Sequence, residues 1–130
     1  MQKILLILVC APLISLSQTE YLMQYHENGN VKVEGNLIDG YEDGIWKEYY
    51  KNGQLRYEIN FKNGKQHGIY RSYFKNGQVQ FILNFKKGKL DDICRGYYDT
   101  GQLYLEKIWE NGMIIVETCW DEKGNEMDCE

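Results

Sequence analysis

The chain has 130 residues, enough for one domain, and its formal net charge at pH 7 is −4. Its lysines and arginines are scattered along the sequence and form no basic stripe, so nucleic acid is not an expected partner. Eleven tyrosines, four phenylalanines and three tryptophans accompany one proline, a composition typical of a folded β protein rather than a disordered chain.

The first 17 residues have the pattern of a secretory signal peptide. A short basic start at Met1–Lys3 precedes an apolar run, Ile4–Leu16, that is too short to span a bilayer. Small residues before Gln18 suit signal peptidase, so we expect cleavage there and a mature domain over residues 18–130. This pattern predicts an exported protein, periplasmic or extracellular, with no integral membrane segment after signal removal.

A lipoprotein signal, with Cys10 as the lipidated residue, is the alternative for this segment. Val9 disfavours it, because a branched residue stands where a small one is expected. The apolar run before Cys10 would also be very short, so anchoring through a lipid is the less favoured interpretation.

Two interleaved series of glycine turns repeat along the rest of the chain. Successive turns of the first series are separated by 24, 24, 24 and 23 residues, and those of the second by 24 throughout. A fixed period of this size is typical of a tandem-repeat architecture. The predicted units are residues 25–49, 50–73, 74–97 and 98–120, followed by a half unit over 121–130.

Each unit contains a strand with strict alternation, in which Leu55, Tyr57, Ile59 and Phe61 would share one face and polar residues the other. Asn-Gly turns of the first series, such as Asn52-Gly53, predict two-residue hairpins, and the second series predicts longer loops. The expected fold is all-β: an elongated single-layer antiparallel β-meander of about ten short strands, built from tandem hairpin repeats.

Three cysteines remain in the mature chain: Cys94, Cys119 and Cys129. Cys94 and Cys119 would lie two strands apart, roughly 9–10 Å at the usual strand spacing, which is too far for a disulfide. Cys119 and Cys129 flank the final turn, where a three-residue loop, Lys123–Asn125, would place them opposite each other. We therefore predict a Cys119–Cys129 bridge that staples the last hairpin.

The repeated sequence resembles the bacterial variant of the MORN repeat. It combines Tyr-x-Asn-Gly-Gln-Leu with Phe-Lys-Asn-Gly-Lys-x-x-Gly-Ile, and chains of such repeats are commonly assigned to the YwqK antitoxin-like family. The resemblance implies a curved β-meander that contacts proteins or lipid surfaces and catalyses no reaction. Unit three departs from the pattern at Asp92, which replaces a glycine, and unit four departs at Met113–Val116.

The sequence offers no catalytic constellation, metal site or cofactor motif. His26 and His67 are 41 residues apart, and the strand glutamates recur as decoration of the sheet face. A non-enzymatic protein-binding or scaffold role in the bacterial envelope is the leading hypothesis. The alternatives are an antitoxin- or immunity-like inhibitor of a partner protein, and an envelope glycan-binding protein or hydrolase.

Recurring aromatic residues and an irregular acidic pair form the candidate binding surface. Aromatic packing that stabilises a thin sheet is the competing interpretation of the aromatic residues. The expected partner is another protein, or else envelope glycan or a membrane surface. The candidate residues are Trp46, Tyr50, Phe74, Tyr98, Asp91 and Asp92.

Overall fold

The computed structural model describes residues 16–129, so nearly all of the predicted signal peptide lies outside the described residues. Eleven strands make up this part of the chain, and it contains no helix. The strands are β1 (Thr19–Tyr25), β2 (Val31–Ile38), β3 (Tyr41–Tyr49), β4 (Leu55–Lys62), β5 (Lys65–Tyr73), β6 (Val79–Lys86), β7 (Lys89–Leu90), β8 (Asp92–Tyr97), β9 (Leu103–Glu110), β10 (Met113–Trp120) and β11 (Glu126–Met127).

The strands form one antiparallel sheet in chain order, which confirms the predicted all-β meander. The short β7 pairs only with β6, and β8 takes the next position beside β6 and β9. Strands β7 and β8 are therefore two parts of one repeat strand, interrupted at Asp91. No second sheet or helix packs against either face within residues 16–129.

The two turn series have the reverse of the predicted geometries. In the first series, Gly53 donates to the Tyr50 carbonyl and Tyr50 to the Gln54 carbonyl, which closes a three-residue loop, and only the glycine has positive φ. In the second series both central residues have positive φ, as at Asn63 (52°) and Gly64 (73°), the mark of a two-residue type I′ turn. The prediction was wrong because Asn-Gly also suits a type I turn followed by a glycine bulge.

A β-bulge follows each of the first four three-residue turns and changes the faces of the strand. Tyr49 pairs with Leu55, whereas Glu48 pairs with Tyr57, so Arg56 is an extra residue in β4. Arg56 stacks over the Tyr57 ring at 4.8 Å and therefore lies on the same face as Tyr57. Leu55 turns to the opposite face with Tyr49, so the prediction that Leu55 shares a face with Tyr57 was wrong.

The shortened last interval of the first turn series has a structural origin in β10. Asn60 of β4 lies opposite three residues of β5, because Ile59 pairs with Tyr70 and Phe61 with Gln66. In β10 only Ile115 is extra. The irregularity in β5 thus contains two residues more than its partner strand, and the one in β10 contains only one more. This difference of one residue accounts for the 23-residue spacing.

A disulfide joins Cys119 and Cys129, whose Cα atoms are 5.4 Å apart. Its register differs from the predicted one, because Cys119 lies opposite Met127 rather than opposite Cys129. The closing loop is Glu122–Gly124: the Asp121 N–H donates to the Asn125 carbonyl, and the Asn125 N–H donates to the side-chain Oδ1 of Asp121. The chain bends back beyond β11, which brings the cysteine two residues past Met127 to the bridge.

Candidate binding surface

One face of the sheet carries a continuous field of aromatic and aliphatic side chains, which we name the aromatic face. Three rows of cross-strand partners define it: for example, Trp46 pairs with Ile59, Ile59 with Tyr70, and Tyr70 with Leu83. Its large side chains are half-buried: they pack against one another, and no second layer covers them within residues 16–129. Its principal members are Trp46, Tyr57, Ile59, Phe61, Tyr70, Phe81, Leu83, Phe85, Leu105 and Trp109.

The aromatic rings contact one another across strands and not along them. Trp46 and Phe61 meet edge to face at 6.3 Å, and the same arrangement recurs one repeat later between Tyr70 and Phe85, also at 6.3 Å. Tyr57 adds a third ring to the second pair, 5.9 Å from Tyr70. Such pairs each stabilise by about 0.5–1.5 kcal/mol beyond simple burial, so the rings tie neighbouring repeats together.

Trp46 is held in place by the backbone of β2. Its indole Nε1 donates to the carbonyl of Asn36 at 3.0 Å. The ring covers Gly35, where an added Cβ would lie only 2.3 Å from the Trp46 Cδ2 atom. Trp46 is thus fixed at the β2–β3 end of the aromatic face, with one ring surface against the sheet.

The opposite face, which we name the charged face, carries alternating charges across the central strands. Glu34 pairs with Lys47, Lys47 with Glu58, and Glu58 with Arg71. The Arg71–Glu58 ion pair has an N–O distance of 2.9 Å. Exposed pairs of this type each contribute about 0–1 kcal/mol, so this face is suited to solvent.

Glu34 is the best-connected carboxylate of the charged face. It accepts hydrogen bonds from the hydroxyls of Tyr21 at 2.7 Å and Tyr49 at 2.6 Å. These bonds hold the pKa of Glu34 below its ordinary value. Burial, followed by the bond to Glu34, raises the pKa of Tyr49 to about 12. The glutamate is therefore a structural acceptor with no free proton-transfer role at neutral pH.

The turn aromatics brace one repeat against the next. The Tyr50 hydroxyl donates to the Tyr73 carbonyl at 2.8 Å, and the Tyr98 hydroxyl donates to the Trp120 carbonyl at 3.0 Å. His26 occupies the equivalent position in the first repeat, with Nε2 2.9 Å from the Tyr49 carbonyl. Phe74 has no hydroxyl, and it is half-buried like its tyrosine counterparts.

The acidic pair, Asp91 and Asp92, lies near the two-residue turns, at the strand ends away from the three-residue turns. Asp91 interrupts the repeat strand, and its N–H donates to the Asn84 carbonyl at 2.9 Å. Asp92 keeps the left-handed backbone of the glycines that it replaces, with φ of 60° against 71° at Gly44 and 92° at Gly68. The six predicted residues therefore occupy three separate places: the aromatic face, the three-residue turns and the β7–β8 break.

Two further features escaped sequence reasoning. A groove of about 180 Å³ on the aromatic face lies above Cys94 and is lined by Leu83, Leu90, Leu105 and Trp109 among others. Cys94 is a free, buried thiol whose pKa is raised by burial, so it is not an activated nucleophile. The groove arises from packing across β6, β8 and β9, which no local pattern reveals.

The second feature is a cluster of lysines at the tips of the β4–β5 and β6–β7 hairpins, which we name the basic margin. The prediction of scattered lysines was wrong here, because two-residue turns one repeat apart place these side chains side by side. A signal was present in the sequence, since lysines flank Asn63-Gly64 and Lys87-Gly88, two of the four turns of the second series. The members are Lys62, Lys65, Lys86, Lys87 and Lys89, with His67 beside them.

The geometry near the disulfide gives no reason to assign a metal ion. Donor atoms of Glu117, Cys119 and Cys129 lie within 4.8 Å of one another. The disulfide occupies both sulfurs, and Lys107 binds the Glu117 carboxylate at 2.7 Å. The donor set is therefore already satisfied within the protein.

The sequence model of the MORN repeat variant matches residues 22–39, 42–63 and 66–87. These three segments are similar to MORN-variant repeats. Each repeat covers one hairpin closed by a three-residue turn, namely β1–β2, β3–β4 and β5–β6. MORN repeats are generally non-catalytic modules that bind proteins or membranes. No curated protein matches the chain.

The matched MORN repeats end at residue 87, shortly before the irregular part of the sheet. The interruption at Asp91 and the shortened β10 both lie beyond that point. No helix within residues 16–129 is long and apolar enough to cross a membrane.

Proposed function

We propose that this MORN-repeat protein is exported and serves as a non-catalytic protein-binding or scaffold module in the bacterial envelope. One observation carries the proposal: the aromatic face spans the sheet and has no covering layer within residues 16–129. Large apolar surfaces that remain open to solvent mark contact sites for partners.

The chemistry of the two faces indicates which one binds. On the charged face, ion pairs such as Arg95–Glu106, at 2.8 Å, satisfy the long polar side chains in solvent. The aromatic face offers rings held in fixed orientations, which contribute contact area at little conformational cost. A partner with an apolar or aromatic surface therefore fits this face best.

The disulfide supports the second element of the proposal, export of the protein. Stable disulfides belong to oxidising compartments, and Cys119–Cys129 closes the end of the sheet. The alternative of an antitoxin- or immunity-like inhibitor rests on resemblance to the YwqK family. A glycan-binding or hydrolytic role has the uncovered rings of the aromatic face as its support.

The decisive experiment combines photo-crosslinking with a matched pair of variants. A photoreactive phenylalanine at Phe85 of the aromatic face should crosslink a defined envelope protein, whereas the same group at Ile69 on the other face should not. Phe61→Gln with Phe85→Gln should abolish capture of that protein. The matched control, Ile45→Gln with Ile69→Gln, also removes two apolar residues one repeat apart and should leave capture intact.

Both variants must retain the wild-type far-UV circular dichroism spectrum. Equal capture by both folded variants would contradict the proposed role of the aromatic face. Crosslinking from Ile69 in place of Phe85 would assign binding to the charged face.

The basic margin favours a second candidate, binding to an anionic membrane surface. Five lysines at adjacent hairpin tips stand out in a chain of net charge −4. Near an anionic bilayer each lysine contributes about 1 kcal/mol, and the attraction falls with salt. Cosedimentation with phosphatidylglycerol vesicles tests this role, with Lys86→Gln/Lys87→Gln/Lys89→Gln as the weakened variant. Equal binding to neutral phosphatidylcholine vesicles would count against it.

A further inference from the structure

One edge of the sheet is open over most of β10. Strand β9 pairs with one side of β10 from Met113 to Cys119. On the other side, β11 pairs only with Cys119 and Trp120. The segment Met113–Thr118 therefore has a neighbour on one side alone, and backbone groups on its outer side have no strand partner within residues 16–129.

This open segment is also apolar and exposed. The exposed fractions are 66% for Met113, 41% for Ile114, 54% for Ile115 and 46% for Val116. Exposed edge strands are usually protected by lysine, proline or a covering element, because they readily pair with other strands. No charged residue interrupts these four positions, and Glu117 is already paired with Lys107 at 2.7 Å.

The edge is open because β11 is much shorter than the strands before it. The strand that follows a three-residue turn has eight residues in β9 but only two in β11. Beyond β11 the chain bends back to the Cys119–Cys129 disulfide and leaves the rest of the strand position beside β10 vacant. Within residues 16–129, the place beside Met113–Thr118 therefore holds no strand.

We propose that this place is filled by β10 of a second copy of the chain, in an antiparallel, two-fold symmetric dimer. The bulge in β10 restricts the register, because partners in an antiparallel ladder share a face. Met113 and Thr118 both lie on the charged face, opposite Glu110 and Glu106 of β9. In the dimer Met113 of one copy therefore pairs with Thr118 of the second copy.

The same argument applies to the next pair. Ile114 and Glu117 both lie on the aromatic face, opposite Trp109 and Lys107. In the dimer Ile114 therefore pairs with Glu117 of the second copy, and Ile115 with its Val116. The two-fold axis passes between Ile115 and Val116, and no like charges are opposed at any pair in this register.

The remaining edge, β1, is a poorer occupant for this place. It carries Glu20, and its Tyr21 hydroxyl is bonded to Glu34 within the sheet. Pairing of β10 with β1 of another copy would also be head-to-tail and would give open filaments, whereas a β10–β10 contact closes as a dimer. The dimer axis stands perpendicular to the sheet, so both aromatic faces point the same way and form one larger surface.

The small size of the β10–β10 contact over Met113–Thr118, which we name the seam, sets the expected affinity of the dimer. Six residues per chain bury much less than the roughly 1,600 Å² of a standard stable interface, so the dimer should form only at micromolar or higher concentration. Sedimentation velocity over a concentration series from about 1 μM to about 1 mM measures this equilibrium directly. Wild type should shift from monomer to dimer and no further.

Three isoleucine-to-lysine variants locate the seam. Ile115→Lys places two lysines beside the symmetry axis and should raise the dimer dissociation constant by at least about tenfold. Ile114→Lys places a lysine opposite Glu117 of the second copy and should preserve a dimer that weakens with added salt. Ile45→Lys is the matched off-edge control, since Ile45 is 51% exposed against 54% for Ile115, and it should dimerise like wild type.

Several outcomes would overturn the proposal. These are a wild-type chain that stays monomeric over the whole range, filaments in place of a dimer, or equal weakening by Ile114→Lys and Ile115→Lys. Loss of association in Met23→Lys, on the β1 edge, would assign the contact to that edge. Each variant is compared with wild type by far-UV circular dichroism, so that a folding defect is not mistaken for a lost seam.

Discussion

The contact between Gly35 and Trp46 allows a quantitative prediction about the aromatic face. A Cβ added at Gly35 would lie 2.3–2.5 Å from the Cδ2, Cε2 and Cγ atoms of Trp46. These atoms belong to the inner part of the ring, so the whole indole must move. Gly35→Ala should therefore destabilise the protein by about 2–3 kcal/mol, as over-packing of a tight contact does.

A double-mutant cycle separates this clash from any backbone effect. In a Trp46→Leu background the ring is absent, so Gly35→Ala should be neutral or stabilising by a few tenths of a kcal/mol. Urea unfolding followed by far-UV circular dichroism suits all four proteins, because tryptophan fluorescence changes with Trp46 itself. An equal cost of Gly35→Ala in both backgrounds would refute the assigned contact.

Three further predictions concern the backbone, the charged face and the disulfide. Asp92→Gly should stabilise by about 1 kcal/mol, because glycine adopts the left-handed backbone without strain, and Asp92→Ala should give no gain in urea midpoint. Tyr49→Phe should destabilise between pH 4.5 and 10, the ordinary pKa values of Glu34 and tyrosine. The stability difference should vanish below that window as the Glu34 carboxylate is protonated, and above it as pH rises through the Tyr49 pKa of about 12. Cys129→Ser should cost about 2–3 kcal/mol on the loop-entropy estimate, with faster amide exchange confined to the last hairpin; exchange spread evenly over the sheet would contradict this.

The repeat period was sufficient to predict the meander, since each turn signal returns at a fixed interval and each strand alternates between faces. It was not sufficient to predict which turn is tight. Asn52-Gly53 and Asn63-Gly64 are the same dipeptide, yet the first closes a three-residue loop and the second a two-residue turn. Pairing of the flanking strands selects between these geometries, and that pairing is set by the whole sheet.

The bulges likewise limited the prediction of which side chains share a face of the sheet. An extra residue at Arg56 reverses the side on which Leu55 lies, and alternation read along the sequence cannot register such an insertion. The hydroxyls of Tyr50 and Tyr98 link neighbouring repeats, a role that sequence alone did not reveal, and their part in a binding surface stays a prediction.

The sequence by itself determined the all-β repeat class and the positions of the turns, because these depend on local backbone preferences that recur every 24 residues. Only the tertiary structure decided which side chains share a face, how the lysines of adjacent hairpins gather, and that β10 has an open edge beyond its short pairing with β11. Those features depend on register between strands, and register is a property of neighbouring strands rather than of either one alone.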